Sequence, residues 1–274
     1  MNPLWIRQII AVVRLEIVKN LLTLRAVPLY LLALMPIFVV GMILFVSLVF
    51  GDGPSELESL GGTAMFFAHL FQFILRAVVY AGCVWIFMNL FRGEVLDRSL
   101  HYYFMVPIRR EVLVIGKFLS GWLAAVLLFA SSTTLTMLLL YANVGPVTAL
   151  RHLLAGPGFG QLFSYLSVTV LACLGYGAIF LVIGLFLRNP IVPALFIFIW
   201  EWANPFLPAL LKKLSVIFYL KGMLPVAIDE GPFAVIAEPV PAWLAVPGLM
   251  IFTAAVLIAA GLRIRKTEIA YWSE

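Results

Sequence analysis

The sequence predicts an all-α, polytopic membrane protein with six transmembrane helices, an N-terminal amphipathic elbow helix and re-entrant pieces between helices 5 and 6. Apolar residues make up 64% of the 274 residues and charged residues 11%, whereas a soluble domain carries about 45 to 50% and about 25%. Long apolar runs recur along the chain, and each is long enough to cross a hydrocarbon layer of about 30 Å. Charged residues collect between these runs. Residues 1–274 are therefore interpreted as a single transmembrane domain.

The net charge and the cysteines argue against nucleic-acid binding and against a cysteine-based metal or redox site. The formal net charge of +5 is explained by arginines and lysines retained on the cytoplasmic side of a membrane, so no nucleic-acid partner is predicted. Cys83 and Cys173 lie inside apolar runs and match no metal-ligand or redox spacing. Such cysteines are typical packing residues.

The first 26 residues carry four basic side chains ahead of the first uninterrupted apolar run, which is unlike a cleavable secretory signal. Apolar residues recur there at helical i+3 and i+4 steps, and polar residues lie off this stripe. The stripe consists of Ile6, Ile10, Val13, Ile17, Leu21 and Leu24. The polar residues are Arg7, Arg14, Glu16, Lys19 and Asn20. Segment 1–26 is predicted to be a cytoplasmic elbow helix in the headgroup region; packing on other cytoplasmic segments is the alternative.

The first two spans are predicted at 27–50 and 71–91. Residues 27–50 contain no charge, and Pro36 is a candidate kink in this helix. The acidic turn that follows is predicted to lie outside the cytoplasm. Arg76 interrupts the second run near its outer end, where it is expected to extend to the interface, with a substrate-facing role as the alternative. His69 is then expected outside the hydrocarbon.

The third and fourth spans are predicted at 118–141 and 162–187, joined by an external loop. A cluster of hydroxyls at 131–134 is expected to bond to backbone carbonyls or across a helix contact, with a polar path as the minority interpretation. Small residues on the fourth span favour close helix contact. They are Gly175, Gly177, Ala178 and Gly184.

The fifth apolar run, 191–211, contains Glu201 about halfway along it. A carboxylate inside a membrane is a functional-site hypothesis because burying its charge is costly, so Glu201 is a candidate for the translocation path. Two structural interpretations compete. The side chain is protonated and bonded to a neighbouring helix, or it lies in a watery vestibule because Pro205 and Pro208 end the helix early.

The last part of the chain predicts an external loop with re-entrant helices at 212–241, a sixth span at 243–262 and a cytoplasmic tail at 263–274. The apolar pieces of the loop are too short to span a bilayer. With both termini cytoplasmic, thirteen of the eighteen basic residues lie inside and four outside, as the positive-inside rule requires. The protein is therefore predicted to be a multi-pass membrane protein.

The longest charged interruption is the segment 92–117. Four of its side chains recur at i, i+3, i+4 and i+7, which places them on one side of a helix. They are Glu94, Asp97, Arg98 and His101, with Leu96, Leu100 and Tyr103 on the other side. Pro107 cannot continue this helix, and Arg109 and Arg110 open the next one. We expect a short amphipathic helix that docks a partner; a solvated connecting loop is the alternative.

Enzymatic signatures are missing from the sequence. Gly116 and Lys117 are followed by Phe118 and are not preceded by the glycine of a phosphate-binding loop. No H-E-x-x-H or G-x-S-x-G motif occurs, and the three histidines have no ligand spacing. The chain is therefore predicted not to be an enzyme on its own and to hold no metal or cofactor.

Two segments resemble the type 2 permeases of ABC exporters. In the charged segment the matching residues are Gly93, Glu94, Leu100, Pro107, Ile108, Arg110, Gly116 and Lys117, and in the elbow they are Arg14, Glu16 and Arg25. The resemblance implies a permease of the bacterial inner membrane that dimerises with a second permease copy or a homologue. It also implies separate ABC ATPase subunits that hold ATP and Mg and dock on the charged segment. The docking residues implied are Glu94, Asp97, Arg98, His101, Tyr102, Tyr103, Pro107, Arg109 and Arg110.

Two other functions stay open at this point. An ion-coupled secondary transporter would use Glu201 as its proton or sodium carrier, although the inverted repeat that would favour it is not seen. A non-transporting membrane scaffold is the other. The aromatic, apolar composition favours a hydrophobic or amphipathic cargo, and membrane lipids are the expected surroundings.

Overall fold

A computed structural model describes residues 3–50, 57, 59–96, 110–187, 189–226, 228, 234–235 and 240–266. Within this part of the chain the protein is helical and contains no strand. Five of its helices are long and apolar enough to cross a membrane. The predicted all-α, membrane-type class is thus confirmed.

The N-terminal helix α1 (Pro3–Leu21) packs along α5 (Arg110–Asn143). Its packed face includes Val12 and Glu16, which are both buried. Two residues of the predicted apolar stripe, Ile6 and Ile10, are exposed, whereas Val13, Ile17 and Leu21 are half-buried. The helix therefore packs on another segment, and its place in the headgroup region stays a prediction.

Helix α2 (Val27–Phe50) coincides with the predicted first span. One narrow face packs on the bundle through Leu29, Ala33 and Val40, while most other side chains are exposed. The Ser132 hydroxyl donates a hydrogen bond to the Ala33 carbonyl across the contact with α5. Exposure of so much apolar surface is normal for a helix that faces lipid.

The second apolar run forms one long helical rod made of α3 (Leu60–Phe73), a π-helical turn (Ile74–Val79) and α4 (Tyr80–Leu96). It begins before the predicted span 71–91 and continues beyond it. Ser59 caps the start by accepting a hydrogen bond from the Gly62 N–H at 3.1 Å. The π turn admits one extra residue and changes the direction of the side chains that it carries.

Helices α5, α6 (Pro146–Ala155) and α7 (Gly158–Phe186) follow. Helix α6 lies in a region that the sequence predicted only as a loop; Gly145 precedes it with φ +118°. The expectation that glycines bring helices together is confirmed, because a Cβ on Gly177 would lie 2.4 Å from the Phe87 ring and one on Gly184 would lie 2.9 Å from the Met88 backbone. Three of the four hydroxyls at 131–134 bond to backbone carbonyls, as expected, whereas the Thr133 hydroxyl is buried without a hydrogen-bond partner among the described residues.

The predicted fifth span, 191–211, is interrupted. Helix α8 (Ile191–Ala203) continues only into a single 3-10 turn (Asn204–Phe206), and two short helices follow, α9 (Ala209–Lys212) and α10 (Val216–Lys221). Pro205 and Pro208 explain the break, since proline removes a backbone donor and restricts the residue before it. Helix α11 (Ala242–Lys266) then contains the whole of the predicted sixth span.

Candidate functional site

The predicted docking residues lie mostly outside the described part of the chain. These are Asp97, Arg98, His101, Tyr102, Tyr103, Pro107 and Arg109. The backbone of Glu94 forms part of the last turn of α4, and Arg110 begins α5. The charged segment is therefore bordered by two helices that run directly into the bundle. The predicted amphipathic helix stays a prediction.

Close to this border, a buried ion pair joins α1 to α5. The Lys117 Nζ lies 2.7 Å from the Glu16 Oε1, and the two side chains are 0% and 2% exposed. The same ammonium donates a hydrogen bond to the Leu90 carbonyl of α4 at 2.9 Å. We call Glu16, Lys117 and the Leu90 carbonyl the clamp. It connects three helices through one nitrogen atom.

A close backbone approach makes the clamp possible. A Cβ on Gly116 would lie 2.9 Å from Val12 Cγ1 and 3.0 Å from Val12 Cβ, so only glycine fits there without a shift. Val12 and Glu16 are one helical turn apart and face the same way. Because α1 comes so near, the short Glu16 side chain reaches an ammonium that is completely buried.

Sequence reasoning did not predict that Glu16 and Lys117 are buried together. Glu16 was expected on the polar side of an interfacial helix, whereas it faces Lys117 inside the bundle; the assignment of Lys117 to the cytoplasmic side stays a prediction. The available signals were a glycine next to Lys117 and the helical spacing from Val12 to Glu16. Neither signal identifies the partner, because the two charges are 101 residues apart.

The second buried carboxylate, Glu201, lies at the end of α8 and is 1% exposed. It accepts hydrogen bonds from the Ser215 hydroxyl at 2.5 Å, the Val216 N–H at 3.0 Å and the Ile217 N–H at 3.3 Å. These donors form the start of α10. Glu201 therefore caps that short helix from a different helix, where an acceptor and a negative charge are both favourable. This geometry agrees with the interpretation in which Glu201 bonds to a neighbouring segment.

Tyr80 and Arg76 of the rod contact α8, the helix that carries Glu201. The Tyr80 hydroxyl donates to the Ala194 carbonyl of α8 at 2.6 Å, and its ring packs edge-on against the Tyr176 ring with 5.2 Å between centroids. The Arg76 guanidinium lies 5.9 Å from the centre of the Trp202 ring. Arg76 was expected to extend to the membrane interface, but it is only 8% exposed, and the π turn that carries it packs against α7 and α8.

The residues that follow α8 are joined by polar contacts into one unit, residues 204–221, which we call the cap. Lys212 donates to the Val235 carbonyl at 2.6 Å, and the Val235 N–H donates to the Pro205 carbonyl at 3.0 Å. Lys221 Nζ lies 3.4 Å from the Asn204 Oδ1. These two lysines, counted as external loop charges, thus hold the cap together.

No protein-family model, no curated protein and no solved structure matches this chain. Within the described residues, no group of three or more His, Cys, Asp or Glu side chains is placed to hold a metal ion. The functional argument therefore depends on the two buried carboxylates, the helices they join and the charged segment between α4 and α5.

Proposed function

We propose that this chain is the transmembrane permease subunit of an ATP-driven ABC exporter. In this proposal it dimerises with a second permease copy or a homologue, and separate ATPase subunits bind ATP and Mg. The observation that carries the proposal is the clamp. It brings Glu16 of the elbow onto Lys117 of the charged segment, and these are the two segments that carry the resemblance to type 2 ABC permeases. Their contact was not visible in the sequence, so it supports the resemblance independently.

The proposed topology has six spans with both termini in the cytoplasm of a bacterial inner membrane. The five long apolar helices supply spans 1 to 4 and span 6. Helix α8 with the 3-10 turn that follows supplies a shorter span 5. Helix α1 is the elbow, and α9 and α10 are the re-entrant pieces on the outer side. The distribution of basic residues supports this orientation.

The proposed mechanism moves force from the ATPases into the bundle. Nucleotide binding draws the two ATPases together and displaces the charged segment, and α4 and α5 carry that displacement because both helices continue from the segment into the membrane. Packed helices of this kind shift between discrete arrangements instead of deforming gradually. The bundle then changes from inward-open to outward-open and releases a hydrophobic or amphipathic cargo.

The contacts of Glu201 favour the exporter over an ion-coupled carrier. A carrier carboxylate must exchange its ion with water on both sides, whereas both oxygens of Glu201 accept hydrogen bonds from the cap. Glu201 thus has a structural function that needs no transported ion. In the exporter it keeps the outer side of the bundle folded.

The proposal is tested by reversing the charges of the docking segment. The tagged triple variant E94K/D97K/R98E is purified in mild detergent from membranes of the native host, and ATP hydrolysis that co-purifies is measured. We expect loss of most of this activity with normal membrane insertion, because the salt-bridge partners of the ATPase change sign. Lys213→Glu, an exposed charge reversal in the cap, is the matched control and should retain the activity.

Two results would contradict the proposal. If equal ATP hydrolysis co-purifies with the wild-type chain and with the triple variant, then the charged segment is not the docking site. Transport that persists without ATP and stops when the ion gradient is dissipated would identify a secondary transporter instead.

A further inference from the structure

We infer that Glu16 and Lys117 are positioning residues through which α1 sets the spacing of the two helix ends that carry the ATPase-docking segment. This inference rests on the proposed function. It assigns a role in that function to α1, a helix that contributes none of the docking charges. The clamp, the close contact between Val12 and Gly116, and the position of Leu90 carry it.

The first step concerns the ends of α4 and α5. Leu90 lies near the end of α4, Lys117 lies near the start of α5, and a single hydrogen bond of 2.9 Å joins them. The two helices also pack tightly here, since a Cβ on Gly121 would lie 3.0 Å from Leu90 Cδ1. The clamp therefore fixes the distance between the helix ends from which the charged segment leaves the bundle.

The second step concerns charge. The Lys117 ammonium is fully buried, and a buried ammonium is costly unless a negative group and further acceptors surround it. The carbonyl of Leu90 supplies an acceptor but no charge, whereas Glu16 supplies the charge. If α1 withdrew its carboxylate, α4 and α5 would have to separate until water reached the ammonium. The spacing of the helix ends thus depends on α1.

The third step concerns what holds α1 itself. Its packed face lies on α5, and Ile6 and Ile10 remain exposed on the adjacent face, where they suit the membrane interface. Arg7 and Arg14 are exposed as well. Because α1 packs along α5 and is joined to it by the clamp, it moves together with α5 and keeps the end of α4 at a fixed distance from the start of α5.

The test compares binding of the ATPase with thermal stability in the full-length chain. The ATPase that co-purifies with the wild-type chain is purified and titrated onto the permease in nanodiscs, with Lys117→Met, E16Q/K117M and Ser215→Ala as variants. Lys117→Met should lower Tm and weaken ATPase binding about tenfold, within the range of coupling through packed elements. E16Q/K117M should recover Tm, because neither charge is left unpaired, and yet keep the weakened binding, because the clamp that joins α1, α4 and α5 is still missing.

Ser215→Ala is the control for stability alone. It removes a buried hydrogen bond to Glu201 in the cap, so it should lower Tm without changing ATPase binding. The inference is overturned if binding by E16Q/K117M returns to the wild-type value along with Tm, or if Ser215→Ala weakens binding as much as Lys117→Met does. Failure of the wild-type chain to bind any ATPase is a separate result, which overturns the proposed function.

Discussion

Glu16 and Glu201 are equally buried but are stabilised in different ways. Glu16 faces the ammonium of Lys117 at 2.7 Å, so a full opposite charge balances it. Glu201 faces the Ser215 hydroxyl and the first backbone N–H groups of α10, so neutral donors and the helix dipole stabilise it. The first pair joins three long helices, and the second joins one helix to a short segment close behind it.

The difference shows how each end of the bundle depends on its carboxylate. A counter-charge from a distant part of the chain is lost all at once when either partner is neutralised, and the remaining charge is then buried alone. Local donors can instead rearrange or bind water, since each contributes only a part of the stabilisation. We therefore expect substitution of Glu16 to lower the free energy of unfolding strongly and substitution of Glu201 to lower it only slightly.

The same change, Glu to Gln, applied at both positions gives the sharpest comparison, and Glu16→Gln should have the largest effect. It leaves the Lys117 ammonium without its counter-charge, which should lower the free energy of unfolding by about 3 to 5 kcal/mol. Unfolding in SDS followed by circular dichroism measures this loss. A loss no larger than that of Glu201→Gln would contradict the comparison.

A neutral pair provides the control for this prediction. In E16Q/K117M neither of these two side chains carries a charge, and replacing a buried ion pair by uncharged groups of similar volume is often nearly neutral. Its stability should therefore lie well above that of Glu16→Gln. If the double variant is the less stable of the two, then shape and not charge dominates at the clamp.

Gly116→Ala should have an intermediate effect. The added methyl group would lie 2.9 Å from Val12 Cγ1, and the stiff valine side chain cannot turn away. Overpacking of this kind should cost about 1 to 3 kcal/mol. Thermal unfolding of the variant measures the cost, and V12A/G116A should recover part of it, because the second change makes room. If V12A/G116A is no more stable than Gly116→Ala, then the contact between Val12 and the added methyl group is not the cause of the loss.

Glu201→Gln should have the smallest effect. The amide oxygen can still accept from the Val216 N–H, whereas the amide nitrogen faces the Ile217 N–H and loses that bond. We expect a loss of about 1 kcal/mol, the usual net value of one hydrogen bond, and a larger loss for Glu201→Ala, which removes the helix cap entirely. The SDS unfolding experiment that compares the two glutamines measures both. Equal losses for Gln and Ala would contradict this prediction, because they would show that the amide oxygen keeps none of the hydrogen bonds of the carboxylate.

The sequence predicted the membrane class and most of the helices because length and apolar composition alone determine them. Helix α2 coincides with the predicted span 27–50, and the prolines 205 and 208 already indicated that the fifth run ends early. The positions at which the helices begin and end were less predictable. The rod formed by α3 and α4 extends beyond its apolar stretch, since arginine and glutamate, which follow that stretch, have high helix propensity.

The clamp could not be predicted because a single helix does not identify its neighbours. Glu16 has the spacing of an interfacial residue, and only the approach of α5 makes it a buried one. Arg76 likewise depends on the π turn, for which the local sequence gives no signal. Glu201 was recognised as unusual because it interrupts an apolar run, but its function depends on Ser215, fourteen residues later, in a segment whose fold is irregular.

The shortness of α8 has a consequence for the lipid around the protein. Its 13 helical residues and the 3-residue turn that follows cover about 24 Å at 1.5 Å per residue, less than the hydrocarbon thickness of about 30 Å. In the proposed topology, where α8 is the fifth span, acyl chains beside it must therefore shorten, whereas those beside the 34-residue α5 need not. The bilayer would then be thinner on one side of the protein, and the cargo of the proposed exporter would have a shorter distance to travel there.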